Sequence, residues 1–426
     1  MKTLCVLGMG YIGLPTASMF ATHNYKVIGV DVNRRVVDIL SQGDVHIQEP
    51  GLKTLVQSAI NSGHLVVSQQ PQPADAFIIA VPTPLKNDSP SPSADLGYVI
   101  NAAEAIAPCL KAGNLVILES TSPPGTTVKV VGPILERSGL KVGEDILLAH
   151  SPERVLPGRI MTELIQNDRV IGGVNEASSQ AARDLYASFV EGKIFLTDAT
   201  TAEMVKLIEN TYRDVNIALA NELALVAEHV GVNIWEAIPI ANRHPRVNIL
   251  MPGPGVGGHC IAVDPWFIVE QATETTPLIQ QARKINDSMP EHVVETVLKA
   301  VNGIDRPIVA ALGLAYKANV DDTRESPAVD IVKLLAQSRC CVRAFDPYVE
   351  QPVIEGLVDS LAVALEGADV LLLLVNHDQF KLLQPEQVKK VMRHHTIVDT
   401  RNFFKADAWQ ATGFEMLLLG SSRKTS

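Results

Sequence analysis

The stretch Leu4-Cys5-Val6-Leu7-Gly8-Met9-Gly10-Tyr11-Ile12-Gly13 decides the fold. Four apolar residues in a row predict a buried strand. The glycines that follow, spaced G-x-G-x-x-G, predict a tight turn into a helix over residues 14–23. Gly8 permits the turn, Gly10 lets a pyrophosphate approach the backbone, and Gly13 allows the helix to pack closely on the strand. The start of the helix offers unpaired N–H groups to phosphate oxygens, and Tyr11 and Ile12 complete the set of residues beside the ligand. The next apolar run, residues 27–30, ends in Asp31, about twenty residues on. An acid there accepts hydrogen bonds from ribose hydroxyls and repels a 2′-phosphate, so the expected cofactor is NAD and not NADP.

Working outward, strand-like runs recur at residues 26–30, 76–80, 115–118 and 145–149, with amphipathic segments such as 36–41 and 99–110 between them. This alternation predicts an α/β unit, a parallel sheet with helices on both faces, ending near residue 198. Two loops fall at strand carboxyl ends, where open α/β sheets bind ligands: Val81-Pro82-Thr83-Pro84 and Glu119-Ser120-Thr121-Ser122-Pro123-Pro124-Gly125. Thr83 and Thr121 are placed to bond cofactor or substrate, or to shape the turns.

Residues 201–240 read as helix throughout, with Thr200 or Thr201 as N-cap. The run is long and weakly charged, so both faces are expected to be covered, as in a subunit interface. A Pro/Gly loop follows at residues 251–258, then a helix over 277–301. Strands at 308–312, 342–345, 370–375 and 396–399 open a second, smaller α/β unit. The expected architecture is therefore two Rossmann-like parallel-sheet domains joined by a helical region, with domains at 1–198, 199–302 and 303–426.

The formal charge of −11 over 426 residues argues against general affinity for nucleic acid, while a few local cations still permit an anionic small ligand. No basic leader precedes a long apolar run, and the six apolar residues 370–375 are too few to span a bilayer, so a cytoplasmic protein without membrane partners is expected. The five cysteines show no metal-site or disulfide spacing. Cys5, Cys109, Cys340 and Cys341 read as buried small hydrophobes.

Cys260 differs. It follows Gly257-Gly258-His259, where the glycines allow a ligand or another backbone to come close, and Asp264 lies four residues on. If Cys260 opens a helical turn, Asp264 shares its face and the helix N-terminus lowers the thiol pKa. A thiolate can add to an aldehyde; loss of hydride from the thiohemiacetal gives a thioester that water hydrolyses, so one site could carry an alcohol to an acid. Lys206 and Asn210, one helical turn apart, could stabilise the oxyanion.

Gly8–Gly13, Ser151-Pro152-Glu153-Arg154, the run from Gly257 to Asp264, and Gly313-Leu314-Ala315-Tyr316-Lys317 with Asp322-Thr323-Arg324-Glu325-Ser326-Pro327 together resemble the UDP-glucose/GDP-mannose dehydrogenase family, in the family's order and over nearly the whole chain. SPERVLPG (151–158), NDRVIGG (167–173), HPRVNI (244–249) and GVGGHCIAVDPW (255–266) most resemble its bacterial UDP-N-acetyl-D-mannosamine dehydrogenase branch, which makes the uronate for surface polysaccharide such as enterobacterial common antigen. The resemblance implies a UDP-sugar substrate, two NADH per turnover, and a dimer or higher homo-oligomer formed through the central helix. The active site would lie in the cleft between NAD and UDP domains. It implies Cys260 as nucleophile; Lys206, Asn210 and Asp264 at the reacting oxygen and water; Glu153 in thioester hydrolysis; and Thr121 positioning a water. Lys317 matches a residue at the UDP-sugar, Arg324 one contacting NAD, and Arg154, Leu156 and Gly257 fall in the substrate set.

Two positions depart from the pattern. The second acid of UDP-glucose dehydrogenases, four residues after the Glu153 position, is Pro157, which leaves Glu153 or a water held by Asp264 as hydrolytic base. The family's arginine sixteen residues before the cysteine is His244, flanked by Arg243 and Arg246, any of which could hold the sugar or phosphate. A two-electron β-hydroxyacid dehydrogenase is the competing reading; it would need no cysteine and yield one NADH.

Overall fold

The computed structural model describes residues 2–86, 92–349 and 353–422. It divides into two compact units, residues 1–209 with 266–275 and residues 210–265 with 276–426.

The first unit is built on eight strands: β1 (Thr3–Leu7), β2 (Lys26–Val30), β3 (Leu65–Ser68), β4 (Ala76–Ile79), β5 (Leu115–Leu118), β6 (Leu147–His150), β7 (Arg169–Gly173) and β8 (Ile194–Asp198). Their order is β3-β2-β1-β4-β5-β6-β7-β8. All neighbours pair in parallel except β6 and β7, which are antiparallel. Strand alternation explains the two cores. Leu4, Val6, Ile78, Ile117 and Ala149 face one side, and Cys5, Leu7, Phe77, Ile79, Val116 and Leu118 face the other. Full burial of one Leu or Ile is worth about 1.5–3 kcal/mol, against about 1 kcal/mol net for a hydrogen bond, so two-sided burial fixes the central strands.

The second unit carries five parallel strands, β9 (Ile308–Leu312), β10 (Cys341–Phe345), β11 (Val370–Leu373), β12 (Thr396–Asp399) and β13 (Glu415–Leu418), in the order β10-β9-β11-β12-β13. The same parity splits Val309, Ala311, Val370 and Leu372 from Ala310, Leu312, Leu371 and Leu373. Cys5 and Cys340 are buried as expected, Cys109 is half-buried, and Cys341, at the head of the edge strand β10, is exposed.

The expected single helix over 201–240 is two. The first spans Ala199–Val230, and the second, Ile234–Ala241, starts after Gly231, whose φ of 79° ends the helical path. Neither threonine is the cap. The Asp198 carboxylate accepts from the Thr201 N–H (2.9 Å) and hydroxyl (2.6 Å). Within the single chain only one face of the long helix is covered. Glu203, Asn210, Asp214 and Asn221 form a buried polar stripe. Ile208, Tyr212, Leu219, Val226 and Val230 form an apolar stripe that stays 43–60% exposed. The inward face is polar because it holds loops, as described next. Among the described residues, no helix is long and apolar enough to cross a membrane.

Candidate active site

The glycine turn of the first unit has the geometry that its spacing predicts. Gly8 has φ +92°, and a Cβ there would sit 2.5 Å from the Ala80 carbonyl oxygen. A Cβ on Gly13 would sit 1.8 Å from the Gly8 oxygen, whereas a Cβ on Gly10 would meet no protein atom within 4 Å. Gly8 and Gly13 are thus required by packing, and Gly10 leaves open the approach that a pyrophosphate needs. Tyr11 and Ile12, both half-buried, lie between them, and the helix begins at Gly13. Asp31 is half-buried at the end of β2, with one oxygen accepting from the Met9 N–H (3.0 Å) and the other from Asn33 (2.9 Å). Each oxygen keeps a lone pair for a ribose hydroxyl.

The loops after β4 and β5 are stitched together. Thr83 donates its hydroxyl to the Thr121 carbonyl (2.6 Å) and Ser120 donates to the Val81 carbonyl (2.7 Å). Thr83 therefore shapes the site and keeps only acceptor capacity for a ligand. The far end of the Thr121 loop is held by Glu203, whose buried carboxylate accepts from Gly125 N–H (2.5 Å), Thr127 N–H (2.7 Å) and the Thr127 hydroxyl (2.6 Å). Burial pushes the Glu203 pKa up against these bonds. Three residues on, the half-buried Lys206 ammonium has no hydrogen-bond or ion-pair partner among the described residues.

Glu153 is 8% exposed. One of its oxygens meets Arg169 and the other accepts from the Arg154 N–H (2.7 Å). The Arg154 side chain pairs with Glu209 (2.5 and 3.0 Å) on the long helix and with the Asp168 carbonyl (2.9 Å), so it ties the loop in place. Leu156 is exposed at 36%.

In the second unit, Cys260 precedes the helix Asp264–Gln271 by one turn: its carbonyl accepts from Val263 (3.0 Å) and Asp264 (2.8 Å). Asp264, 3% exposed, accepts from the Asn210 side-chain amide at 2.5 Å. The cysteine loop is thereby fixed to the long helix one turn beyond Lys206. The close approach allowed by the two glycines is to protein. A Cβ on Gly257 would lie 2.4 Å from the Glu325 oxygen and one on Gly258 2.9 Å from the Tyr316 ring, and the Gly258 N–H donates to Arg324 (3.2 Å). Arg324 forks onto Asp322 (2.9 and 2.6 Å), with His259 3.8 Å from the same carboxylate. Burial opposes the Asp322 charge, but the Arg324 bonds prevail and hold its pKa below the usual range. Lys317 is half-buried in the loop after β9. Arg243, His244 and Arg246 are exposed, in the segment after the helix Ile234–Ala241.

Several positioning residues carry no motif. Asn221 accepts from Gly253 N–H (2.9 Å) and donates to Asn286 (2.9 Å), which donates to Asp214 (2.8 Å), itself bound by Arg283 (2.6 Å). The available signal was the polar spacing 203, 210, 214, 221 on one helix face. Arg401, just past β12, lies 2.4 Å from where a Gly253 Cβ would stand, and burial lowers its pKa to about 10. A guanidinium at strand carboxyl ends suits an anionic ligand.

Comparison with known proteins agrees with this geometry. The UDP-glucose/GDP-mannose dehydrogenase family matches in three parts: its NAD binding domain over residues 2–190, its central domain over 200–288 and its UDP binding domain over 310–406. The chain is 49% identical to UDP-N-acetyl-D-mannosamine dehydrogenase of Methanococcus maripaludis (strain C7), covering 99% of this chain and 97% of that protein. It is 48% identical to NDP-N-acetyl-D-galactosaminuronic acid dehydrogenase of Ralstonia solanacearum, covering 95% and 97%. The solved UDP-D-ManNAc dehydrogenase of Pyrococcus horikoshii superposes with a TM-score of 0.92 at 46% identity, covering 99% of both chains. With the glycine turn and Asp31 formed as that fold requires, the chain belongs to the UDP-glucose/GDP-mannose dehydrogenase family and uses NAD as its cofactor.

Proposed function

We propose that the chain oxidises the C6 alcohol of UDP-N-acetyl-D-mannosamine to the uronate, in two hydride transfers with Cys260 as covalent nucleophile. The observation that carries the reading is the Asn210–Asp264 bond of 2.5 Å, which fastens the Cys260 turn to the helix bearing Lys206. NAD, when bound, accepts a hydride in each oxidation. Lys206 and Asn210 stabilise the alkoxide from which the first hydride leaves. The Cys260 sulfur then bonds to the aldehyde carbon, and the carbonyl oxygen becomes the oxyanion of a thiohemiacetal. Loss of the second hydride leaves a thioester. Water adds to it, Glu153 takes the water's proton, the C–S bond breaks and the thiolate is restored. The balance is one alcohol, one water and two NAD giving one carboxylate, two NADH and three protons. Glu153 suits its part because each oxygen, though held by one bond, keeps a lone pair. Asp264, bonded to Asn210, serves to hold the water.

Thr121 positions that water from its stitched loop. Asp31, Gly10, Thr83 and Arg324 hold the cofactor. Lys317, Arg401, Gly257, Arg154, Leu156 and the Arg243-His244-Arg246 segment serve the nucleotide sugar. The product would be an activated uronic acid of the kind built into surface polysaccharide. The exposed stripe Ile208, Tyr212, Leu219, Val226 and Val230 supports a homodimer through the long helix. The likeness to the galactosaminuronic acid dehydrogenase supports a second reading, the same reaction on another 2-acetamido sugar.

The test is a panel of UDP-sugars with purified protein, following NADH by absorbance and product by mass spectrometry. UDP-N-acetyl-D-mannosamine should give the highest kcat/KM, with two NADH per uronate. One NADH per sugar would instead support a two-electron dehydrogenase.

A further inference from the structure

Behind Glu153 the first unit buries a closed set of charges. Arg169, 4% exposed at the head of β7, directs Nη2 to Glu153 and Nη1 to the Ser151 hydroxyl (3.0 Å) and to Glu119 Oε1 (3.4 Å). Its Cζ stacks 4.1 Å from the centroid of the Tyr186 ring. The Tyr186 hydroxyl donates to the same Glu119 oxygen at 2.9 Å, while Glu119 Oε2 is buried without a partner. The set draws on β5, β6 and its loop, β7 and the helix Glu176–Tyr186. His150 on the neighbouring strand β6 is buried with neither ring nitrogen partnered, and burial lowers its pKa to about 3, so it adds no charge. Burial likewise pushes the Tyr186 hydroxyl well above its usual range, and Arg154 is turned to Glu209.

Two carboxylates thus share one buried guanidinium. With both ionised the set carries an unpaired negative charge in a low dielectric, so one carboxyl retains its proton. The geometry selects Glu119: its contact to Arg169 is the longer one, one of its oxygens has no partner, and it is 2% exposed against 8% for Glu153.

We propose that Arg169 is the positioning residue for Glu153, and that Glu119 competes for the same guanidinium, so that Glu153 is held firmly only while Glu119 carries a proton. The inference rests on the reading of Glu153 as the group that serves thioester hydrolysis. With Glu119 neutral, the Glu153 carboxylate is fixed at two points, Arg169 and the Arg154 N–H. With Glu119 ionised, Arg169 is shared and one of those points loosens. Burial, opposed by Arg169, raises the Glu119 pKa to about 7, which puts the competition in the working range.

The experiment measures decay of the Cys260 acyl adduct by quenched intact-protein mass spectrometry across pH, in the full-length enzyme. Arg169→Lys keeps the charge and loses the fork. It should slow adduct decay roughly 10- to 100-fold, with the sugar KM unchanged within about twofold. Glu119→Gln mimics the protonated state, so its decay rate should match wild type near about pH 6 and exceed it severalfold above about pH 8. Tyr186→Phe removes a bond that favours the Glu119 anion, so the wild-type transition should move to higher pH. If Arg169→Lys fails to fold, the other two variants decide. Glu119→Gln tracking wild type at every pH, with an unmoved Tyr186→Phe profile, overturns the proposal. Glu153→Gln separates the two failures: if its adduct decays at the wild-type rate, the reading of Glu153 is wrong and the inference falls with it. If it stalls while Arg169→Lys does not, the inference alone is wrong.

Discussion

The two sheets begin with the same turn and put it to different uses. Gly8 and Gly313 both have φ of 92°, and each donates its N–H at 2.8 Å to the last residue of the neighbouring strand, Val30 and Phe345. Each turn is closed by an aspartate after that strand: Asp31 accepts from Met9 N–H (3.0 Å), Asp346 from Leu314 N–H (2.6 Å). The sequels diverge. Gly10 and Gly13 correspond to Ala315 and Ala318, so the second turn reads G-x-A-x-x-A. Asp31 stays half-buried, whereas Asp346 is 4% exposed and also accepts from Ala315 (3.0 Å), Tyr348 (2.9 Å) and the buried His377 (3.0 Å). A strand-turn-aspartate unit therefore does not by itself make a dinucleotide site. The backbone clearance at the second glycine and the open lone pairs of the acid do, and the C-terminal unit has given up both.

The comparison breaks most sharply at the third position. Gly13→Ala forces a methyl within 1.8 Å of the Gly8 oxygen and should cost about 3 kcal/mol or more, seen as lost soluble expression or a large drop in Tm. Ala318→Gly, the matching change in the other turn, should cost no more than about 1 kcal/mol. The aspartates should then separate stability from binding. Asp346→Ala strips acceptors from three N–H groups and a histidine, so it should destabilise by about 3 kcal/mol with the NAD KM unchanged. Asp31→Ala should raise the NAD KM roughly tenfold and narrow the preference over NADP, with a smaller change in Tm. Gly10→Ala should weaken NAD binding about tenfold while Tm moves by about 1 °C, because its methyl meets no protein atom.

The smallest expected effect concerns acid. His150 is held neutral down to about 3 in the folded chain but protonates near 6.5 when unfolded, so its contribution to stability is lost as pH falls from 6.5 to 3. Glu119 has the opposite sign: protonated up to about 7 when folded and 4.5 when unfolded, it makes the fold less stable as pH rises from 4.5 to 7. The two slopes oppose between 4.5 and 6.5. Glu119→Gln removes one, so Tm should rise with pH through that window more steeply than in wild type. Parallel curves would show that Glu119 does not hold its proton in the folded chain. In the second unit the burial cost of the Asp346 charge is outweighed by the His377 bond, so its pKa is lowered below 3.8 and its contribution persists to lower pH.

Much of this was legible in the sequence, and the gaps have physical causes. The first strand, its glycines and Asp31 could be read directly because each residue answers a local steric or hydrogen-bonding demand. Strand β3, strand β8 and strand β13 escaped because they lie at or next to sheet edges, and their burial patterns are incomplete. Strand β7 escaped because it opens with an arginine and closes with two glycines; only a buried partner makes Arg169 acceptable there, and no periodicity reports a partner. At the site, Cys260, Asp264, Lys206 and Asn210 could be named from spacing. The residues that hold the loops of residues 121–127 and 251–258, Glu203 and the Asn221-Asn286-Asp214 chain, left only a polar spacing on one helix face, because a long-range hydrogen bond does not name its partner in the sequence. The glycines before Cys260 left open whether a ligand or another backbone comes close, and the structure brings in the Glu325 backbone oxygen and the Tyr316 ring.

The central claim is that a sulfur adduct is the donor of the second hydride. The most direct measurement is uronate formation by Cys260→Ala, quantified by mass spectrometry beside NADH. No thiol is required for the first oxidation, so the variant should release at most one NADH per site, hold the aldehyde and make no uronate. Uronate at the wild-type rate from Cys260→Ala would contradict covalent catalysis and leave the hydrated aldehyde as the second hydride donor.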